Sequence, residues 1–215
     1  MLFAALGDIR GNTPALRRVL DELSDSGIQT VVNTGDSTVG RPWTKEVIEA
    51  LEAAHITSVQ GGRDRLLVRF ARKGDSLRDR LPEADFEALE RAYAQCSSRD
   101  IEYLAALPSR ARFAVDGVSV ELCHGGLTSL ADRLRPADDP ALFRRQRELT
   151  DARIIVCGHG EEAFVRLVED TLFVHPGSVG MATDGRAHYA LISTETDPWS
   201  AELHSVEFES VEDPR

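Results

Sequence analysis

The sequence lacks a long apolar run, an excess of basic residues and any internal repeat. No stretch of about 18 apolar residues occurs, so neither a membrane-spanning helix nor a membrane partner is expected. The 25 lysines and arginines are outnumbered by 36 acidic residues, which gives a net charge of −11. Because binding to a phosphate backbone needs a basic surface, nucleic acid is not expected as the main partner.

Cysteine is also scarce, with three in 215 residues. Cys96, Cys123 and Cys157 are widely spaced and odd in number, and two of them lie inside apolar runs. We therefore predict reduced core thiols and no disulfide framework. The first residues, Met-Leu-Phe-Ala-Ala-Leu-Gly-Asp, are too short for a signal peptide and lack its basic leader. We expect a cytoplasmic protein that starts with a buried strand.

The first part of the chain alternates short apolar runs with amphipathic helical patterns. Strands are predicted at 2–6, 30–34 and 56–60, with a helix at about 43–54. An earlier helix can be capped by Asn12 or Thr13 and is ended by Gly27. This alternation predicts parallel strands joined by right-handed helical crossovers.

Residues 64–107 are predicted to form a helical insertion, because apolar residues recur there at helical spacing and Ser98 can cap its last helix. The pattern then becomes β-rich, and an Asp-Gly pair at 116–117 predicts a hairpin. Strands are predicted at 111–115, 118–123, 153–157, 163–168, 171–174, 187–193 and 201–208, with a helix near 139–150. We expect a single domain over 1–210 and a tail at 211–215.

Metal-ligating residue types follow four of the predicted strands. Asp8 and Asp36 each come after a glycine at the end of an apolar run, and His124 and His159 occupy similar positions in the second half. Strand ends of this kind are where α/β proteins place ligands. A lone aspartate or histidine there usually has only a structural role, but four together are not expected by chance. Carboxylate and imidazole donors suit Mn, Fe or Zn.

These motifs resemble those of the calcineurin-like metallophosphoesterases, and specifically their small bacterial and archaeal phosphodiesterase branch. The resemblance rests on Gly-Asp-Ile-Arg-Gly-Asn (7–12), Asn-Thr-Gly-Asp (33–36), Gln-Gly-Gly-Arg-Asp (60–64), Cys-His-Gly-Gly (123–126), Cys-Gly-His-Gly-Glu (157–161) and His-Pro-Gly-Ser-Val-Gly (175–180). It implies an α/β fold of four layers, α/β/β/α, in which two packed mixed sheets are flanked by helices. It also implies hydrolysis of phosphate monoesters or diesters.

The resemblance assigns a role to each position of the two metal sites. The first site corresponds to Asp8, Arg10, Asp36 and Glu161, and the second to Asp36, Gly62, His124 and His159. The catalytic histidine of the family corresponds to Arg63. The resemblance thus gives Asp36, His124 and His159 as the metal ligands, with Asp8 and Glu161 as secondary candidates. It gives Asp8, Arg63 and His124 as catalytic residues and Arg10, Gly62 and Arg63 as phosphate-binding residues.

Arg10 is the most consequential departure from the family pattern. A guanidinium has no lone pair for a metal and does not deprotonate in proteins. Two unit charges about 4 Å apart repel by roughly 4 kcal/mol at an effective dielectric of 20, which opposes metal binding beside it. Our hypothesis is that Arg10 fills the first metal site and pairs with Asp8 and Glu161, so that an ion pair replaces the metal.

Arg63 and the basic residues after it each allow two interpretations. Arg63 can hold a phosphate oxygen, or it can pair with Asp64 at the start of a helix. Arg65, Arg69, Arg72 and Lys73 can extend a phosphate-binding rim that suits a nucleotide or polyphosphate, or they form a solvated helix face.

Two functions remain open from the sequence. One is a phosphoesterase of low activity that uses one divalent transition metal, and the other is an inactive protein that binds a phosphate-bearing ligand such as a nucleotide. The second interpretation requires no metal. In both cases the expected partner is a small phosphate-containing ligand.

Overall fold

The computed structural model describes residues 1–160, 162–196 and 198–209, with the backbone alone at residue 75. Within these ranges the strands are β1 (Leu2–Leu6), β2 (Val31–Asn33), β3 (Thr57–Ser58), β4 (Arg110–Val115), β5 (Val118–Cys123), β6 (Ile154–Val156), β7 (Phe164–Val168), β8 (Thr171–His175), β9 (Arg186–Ser193) and β10 (Ser200–Glu207). The helices are α1 (Thr13–Asp25), α2 (Thr44–Ala53), α3 (Gly62–Arg78), α4 (Glu83–Gln95), α5 (Ser98–Ala106) and α6 (Pro140–Arg147). Among the described residues, no helix has both the length and the apolar character needed to cross a membrane.

Two mixed five-stranded sheets form the centre of the fold. The first has the order β10-β9-β1-β2-β3, in which β1, β2 and β3 are parallel and β9 and β10 run antiparallel to their neighbours. The second has the order β4-β5-β6-β8-β7, in which β5, β6 and β8 are parallel. The helices α1 and α2 connect the parallel strands of the first sheet, as the alternating pattern predicts.

Alternate residues of β1 face different layers of the core. Phe3 belongs to an apolar cluster that includes Val120 of the second sheet, so the two sheets pack face to face. Ala4 belongs instead to a cluster with Leu16 of α1 on the outer face. Phe143 of α6 packs on the outer face of the second sheet. These layers confirm the predicted α/β fold of two packed mixed sheets flanked by helices.

The helices α3, α4 and α5 occupy the predicted insertion and pack around an apolar cluster of their own, which includes Leu89 and Leu104. The prediction that Ser98 caps α5 is wrong, because the cap is Ser97. The hydroxyl of Ser97 accepts from the amide of Asp100, whose carboxylate accepts from the amide of Ser97, and only this three-residue spacing closes the capping box. The division into one domain stays a prediction, and the proposed tail at 211–215 lies outside the described residues.

The thiols are expected to react slowly with Ellman's reagent in the native protein and quickly after unfolding. Burial raises the pKa of Cys96 and of Cys157 to about 12, and it also raises the pKa of Cys123. Because the thiolate is the reactive form, these thiols are protected in the fold. Release of the chromophore in buffer and in guanidinium chloride measures the difference, and rapid reaction of several thiols in buffer would contradict the burial of these side chains.

Candidate functional site

The candidate site lies where parallel strands of both sheets end. Asp8 and Asp36 follow β1 and β2, and the amide of Asp8 donates to the carbonyl of the residue before Asp36 at 2.9 Å. His124 and His159 follow β5 and β6, and the carbonyl of His124 accepts from the amide of the residue before His159 at 2.6 Å. The structure therefore brings these strand ends together in pairs.

Several residues of the site have a backbone conformation that residues other than glycine rarely adopt. Asp8, Arg10, Asp36 and His159 all have φ between 48° and 59°. Each non-glycine residue in this left-handed region costs of order 1–3 kcal/mol, and it persists only where the surrounding structure imposes it. The concentration of strained residues in these loops indicates a preorganised site.

Asp36, His124 and His159 form a cluster with the dimensions of a metal site. Their ligand atoms all lie within 4.8 Å of one another. Nε2 of His124 is 3.4 Å from Oδ1 of Asp36, and both side chains are buried. His159 is partly exposed, so the cluster is open toward solvent on that side. One carboxylate and two imidazoles are a donor set that Mn, Fe and Zn share.

The ring of His124 is oriented as a metal ligand requires. Its Nδ1 lies 2.9 Å from the carbonyl oxygen of Thr34, and because a carbonyl only accepts, Nδ1 carries the proton. In the neutral ring Nε2 then has the lone pair, and this buried atom has no hydrogen-bond partner among the described residues. Burial, and then the neighbouring His124, lower the pKa of His159, which favours its neutral, ligating form. The residues therefore fit a divalent cation at this cluster.

Arg10 lies between the two carboxylates of the first metal site. Its Nε is 3.6 Å from Oδ1 of Asp8 and 3.6 Å from Oδ2 of Asp36. Both distances exceed the range of a hydrogen bond, so these contacts are ion pairs only. Since a guanidinium cannot ligate a metal, this half of the centre does not fit a second cation. Glu161, the other predicted partner of Arg10, lies outside the described residues.

The buried carboxyl of Asp8 has a raised pKa. Burial and then the negative charge of Asp36 raise the pKa of Asp8 to about 7, although His124 and Arg10 oppose the rise. Its Oδ2 has no hydrogen-bond partner within the described part of the chain. Near neutral pH this carboxyl is therefore present in both protonation states. Its predicted catalytic role stays a prediction.

Two consecutive glycines hold the start of α3 against Asp36. The amide of Arg63 donates to Oδ1 of Asp36 at 2.7 Å. A Cβ atom on Gly61 would lie 2.1 Å from the amide nitrogen of Asp36, so a side chain cannot be accommodated there without movement of the backbone. A Cβ atom on Gly62 would lie 3.8 Å from Oδ1 of Asp36, an ordinary contact. Gly62 thus leaves room beside the cluster, at a position that the resemblance assigns to the second metal site.

The side chain of Arg63 points toward α4. Its Nη1 donates to Oδ1 of Asp85 at 3.0 Å. The predicted pairing of Arg63 with Asp64 is wrong, because the buried carboxylate of Asp64 accepts from the amide and hydroxyl of Thr38 and from the amide of Gly61. The contact with Gly61 closes a local capping box, whereas the contacts with Thr38 are tertiary contacts that the sequence pattern does not show. The catalytic and phosphate-binding roles of Arg63 stay predictions.

His175 is a buried residue of this region that sequence reasoning left without a role. Its Nδ1 accepts from the amide of Gly177 at 3.0 Å, and its Nε2 has no hydrogen-bond partner among the described residues. Burial, and then the nearby His124, lower the pKa of His175 to about 4, so the ring is neutral. A Cβ atom on Gly160, the residue after His159, would lie 3.0 Å from this Nε2. The signal in the sequence is its place as the first residue of the motif His-Pro-Gly-Ser-Val-Gly.

The Pro-Gly-Ser turn after His175 has a structural role at the site. The hydroxyl of Ser178 donates to the carbonyl of Asp8 at 3.0 Å and accepts from the amide of Met181 at 2.9 Å. Both contacts are to the backbone, and they connect the turn to the loop that carries Asp8 and Arg10. The hydroxyl of Ser178 thus stabilises a turn.

Comparison with known proteins identifies the family. The sequence model of the calcineurin-like phosphoesterase superfamily domain matches residues 1–197, and the chain belongs to this superfamily. No curated protein matches the chain.

Solved structures with the same fold cover nearly the whole chain. A hypothetical protein from Pyrococcus horikoshii OT3 has a TM-score of 0.86 and 21% identity, over 97% of this chain and 88% of its own. A metallophosphoesterase from Sphaerobacter thermophilus has a TM-score of 0.72 and 22% identity, over 97% of this chain and 90% of its own. A structure described as a novel archaeal phosphodiesterase has a TM-score of 0.58 and 14% identity, over 96% of this chain and 100% of its own. At these identities the similarity shows the fold.

Substitution of the two glycines by alanine is expected to have opposite effects on stability. Gly61→Ala forces the backbone of Asp36 to move and should lower the free energy of unfolding by about 1–3 kcal/mol. Gly62→Ala meets only an ordinary contact at the first turn of α3 and should be neutral or stabilising by up to about 1 kcal/mol. Urea unfolding of both variants measures the difference, and equal stabilities would contradict the close approach described at Gly61.

Proposed function

We propose that this protein is a phosphoesterase of low activity that uses a single divalent cation held by Asp36, His124 and His159. The observation that carries the proposal is the contrast between the two halves of the centre. The three ligands are grouped and the ring of His124 is oriented for ligation, whereas Arg10 lies between Asp8 and Asp36 where a second cation would be needed.

The ligand set suits Mn, Fe or Zn and leaves room for a phosphate oxygen or water. A cation bound there would supply Lewis-acid stabilisation of the phosphoryl group and activation of water. Asp36 is held by the amide of Arg63, and the Nδ1 proton of His124 is held by the carbonyl of Thr34, so both ligands keep their orientation during substrate binding.

Arg10 takes the role of phosphate binding in this proposal. Its side chain is partly exposed and reaches the same Asp36 carboxylate that would ligate the cation. A guanidinium can donate two parallel hydrogen bonds to phosphate oxygens. Because this half of the centre holds no metal in the proposal, such a donor is needed there to bind the phosphate. A paired-metal clamp stabilises both the attacking and the leaving oxygen, so its loss is expected to cost several orders of magnitude in rate.

The alternative is a protein without turnover that binds a phosphate-bearing ligand such as a nucleotide. One observation favours it: the guanidinium of Arg63, which replaces the catalytic histidine of the family, is engaged with Asp85. The structural similarity to the archaeal phosphodiesterase favours the enzyme. In either case we propose a small phosphate-containing ligand, because the net charge of −11 disfavours nucleic acid. We also propose that the protein acts in the cytoplasm.

Protein purified without chelator is expected to bind one Mn²⁺ or Zn²⁺ per chain, measured by calorimetry and elemental analysis. His124→Ala removes a ligand and should weaken binding by more than about 100-fold, since loss of an outer-shell contact alone costs 10–100-fold. The matched control is His204→Ala on β10, outside the ligand cluster, which should bind as the parent does.

The same variants test turnover with bis(p-nitrophenyl) phosphate and Mn²⁺. Hydrolysis that His124→Ala abolishes and His204→Ala retains would support the enzyme. No hydrolysis, together with thermal stabilisation by nucleotides, would support the binding protein. Undiminished metal binding by His124→Ala would show that the ligand assignment is wrong.

Arg10→Ala is expected to destabilise the metal-free protein by about 1–3 kcal/mol, because it leaves two buried carboxylates without their counter-charge. Excess divalent metal should restore stability by occupying the vacated space. Urea unfolding with and without Mn²⁺ measures both effects. Arg17→Ala, at an exposed position of α1 with no ion pair among the described residues, is the control and should change stability by less than about 0.5 kcal/mol. Unchanged stability of metal-free Arg10→Ala would refute the ion-pair replacement.

A further inference from the structure

A basic groove runs along the exposed side of α3. Its lining includes Arg65, Arg69, Arg72 and Lys73, and Val68 and Ala105 supply its apolar part. The groove has a volume of about 450 Å³, within the range of small-molecule sites. It therefore has the size and the charge to receive a small anion.

The four cations of the groove have no acidic partner within the described residues. No ion pair there includes any of them, although the chain carries 36 acidic residues against 25 basic ones. The arginines of α6 behave differently, since Arg144 and Arg147 pair with Glu169. Four like charges on one helix face repel one another, and a bound polyanion would relieve this repulsion.

The groove lies along the helix whose first residue is beside the metal cluster. Gly62 begins α3, and its Cβ position faces Oδ1 of Asp36. At 100° per residue, Arg65 and Arg69 lie within about 60° of Gly62 on the same helical face, and Arg69 is about 10 Å further along the axis. The groove ends near Lys73, where the helix has a kink. An extended anion with one end at the cluster can therefore lie along this face.

The leaving group has no proton donor at the family's usual position. Arg63 stands there, and a guanidinium does not give up its proton in proteins. Its Nη1 is in any case engaged with Asp85. A leaving group that departs as a stable anion needs no such donor. An alkoxide is not a stable anion, so an ester with an alkoxide leaving group would need the donor.

We propose that the substrate class is a linear phosphoanhydride, whose leaving polyphosphate is held by Arg65, Arg69, Arg72 and Lys73; this inference rests on the proposed function. In the reaction the oxygen of water bonds to the terminal phosphorus. The bridging P–O bond breaks, and its electron pair stays on the oxygen of the departing polyphosphate. The proton from water passes to bulk solvent. The arginines stabilise the negative charge that develops on the leaving group.

Calorimetry with tripolyphosphate in the presence of EDTA tests the groove without metal or turnover. Arg69→Ala should weaken binding about tenfold, the usual effect of losing one hydrogen bond to a charged group. Arg17→Ala, on α1, should bind as the parent does. Equal binding by the parent, Arg69→Ala and Arg17→Ala would overturn the proposal and show that this side of α3 is only a solvated helix face.

ATP in the same measurement distinguishes two sources of the anhydride. Tighter binding of ATP than of tripolyphosphate would identify a nucleoside polyphosphate, with the base on Val68 and Ala105. Equal or weaker binding of ATP would identify an inorganic polyphosphate. Both results support the phosphoanhydride class, provided that Arg69→Ala weakens the binding.

Kinetics with Mn²⁺ separate this inference from the proposed function. Arg69→Ala should lower kcat/KM for tripolyphosphate about tenfold and leave kcat/KM for bis(p-nitrophenyl) phosphate unchanged. The leaving group of the second substrate, p-nitrophenolate, also departs without a proton, but it does not reach the groove. Hydrolysis of bis(p-nitrophenyl) phosphate without hydrolysis of tripolyphosphate would overturn the inference and leave the proposed function intact. Hydrolysis of neither would overturn both.

Discussion

The hydrogen bond from His124 to the carbonyl of Thr34 connects the two sheets at the point where both present ligands. It determines which nitrogen of the imidazole carries the proton, and so it directs the other nitrogen toward Asp36. The carbonyl of His124 in turn accepts from the loop that carries His159. The cluster of three ligands depends on this contact between sheets, because its residues come from strands in different sheets. The strained backbone of the surrounding loops is held in place by the same packing.

Charge balance explains why the two halves of the centre differ. Asp8 and Asp36 place two buried carboxyl groups side by side, and the raised pKa of Asp8 reflects their repulsion and burial. A proton or a cation can compensate such a pair. In this chain the guanidinium of Arg10 is that cation, at 3.6 Å from each carboxylate. A second cation at similar range would meet a repulsion of roughly 4 kcal/mol at an effective dielectric of 20. The imidazole side has no such fixed charge, and the proposed cation is placed there for this reason.

Most of the fold and part of the site were predictable from local patterns. Apolar runs, capping residues and Asp-Gly turns located the strands and helices, because these features depend on residues close together in the chain. The order of the motifs indicated the family, and the superfamily match agrees with it. The error at the site lies where distant residues compete for one partner, whereas the error at the cap of α5 is a shift of one residue. Arg63 meets Asp85 on another helix, and the carboxylate of Asp64 is taken by Thr38 from the loop after β2.

The sequence by itself indicated the family through its motifs, and the layered α/β architecture through that resemblance. It also determined the absence of a metal ligand at Arg10, because residue type is a local property. Only the tertiary structure decided which side chains meet. It placed Arg10 between two carboxylates, oriented His124 through Thr34, and buried His175 beside the loop that carries His159. The physical reason is that these contacts join residues tens of positions apart, and packing and hydrogen bonding of the whole chain fix their distances and protonation.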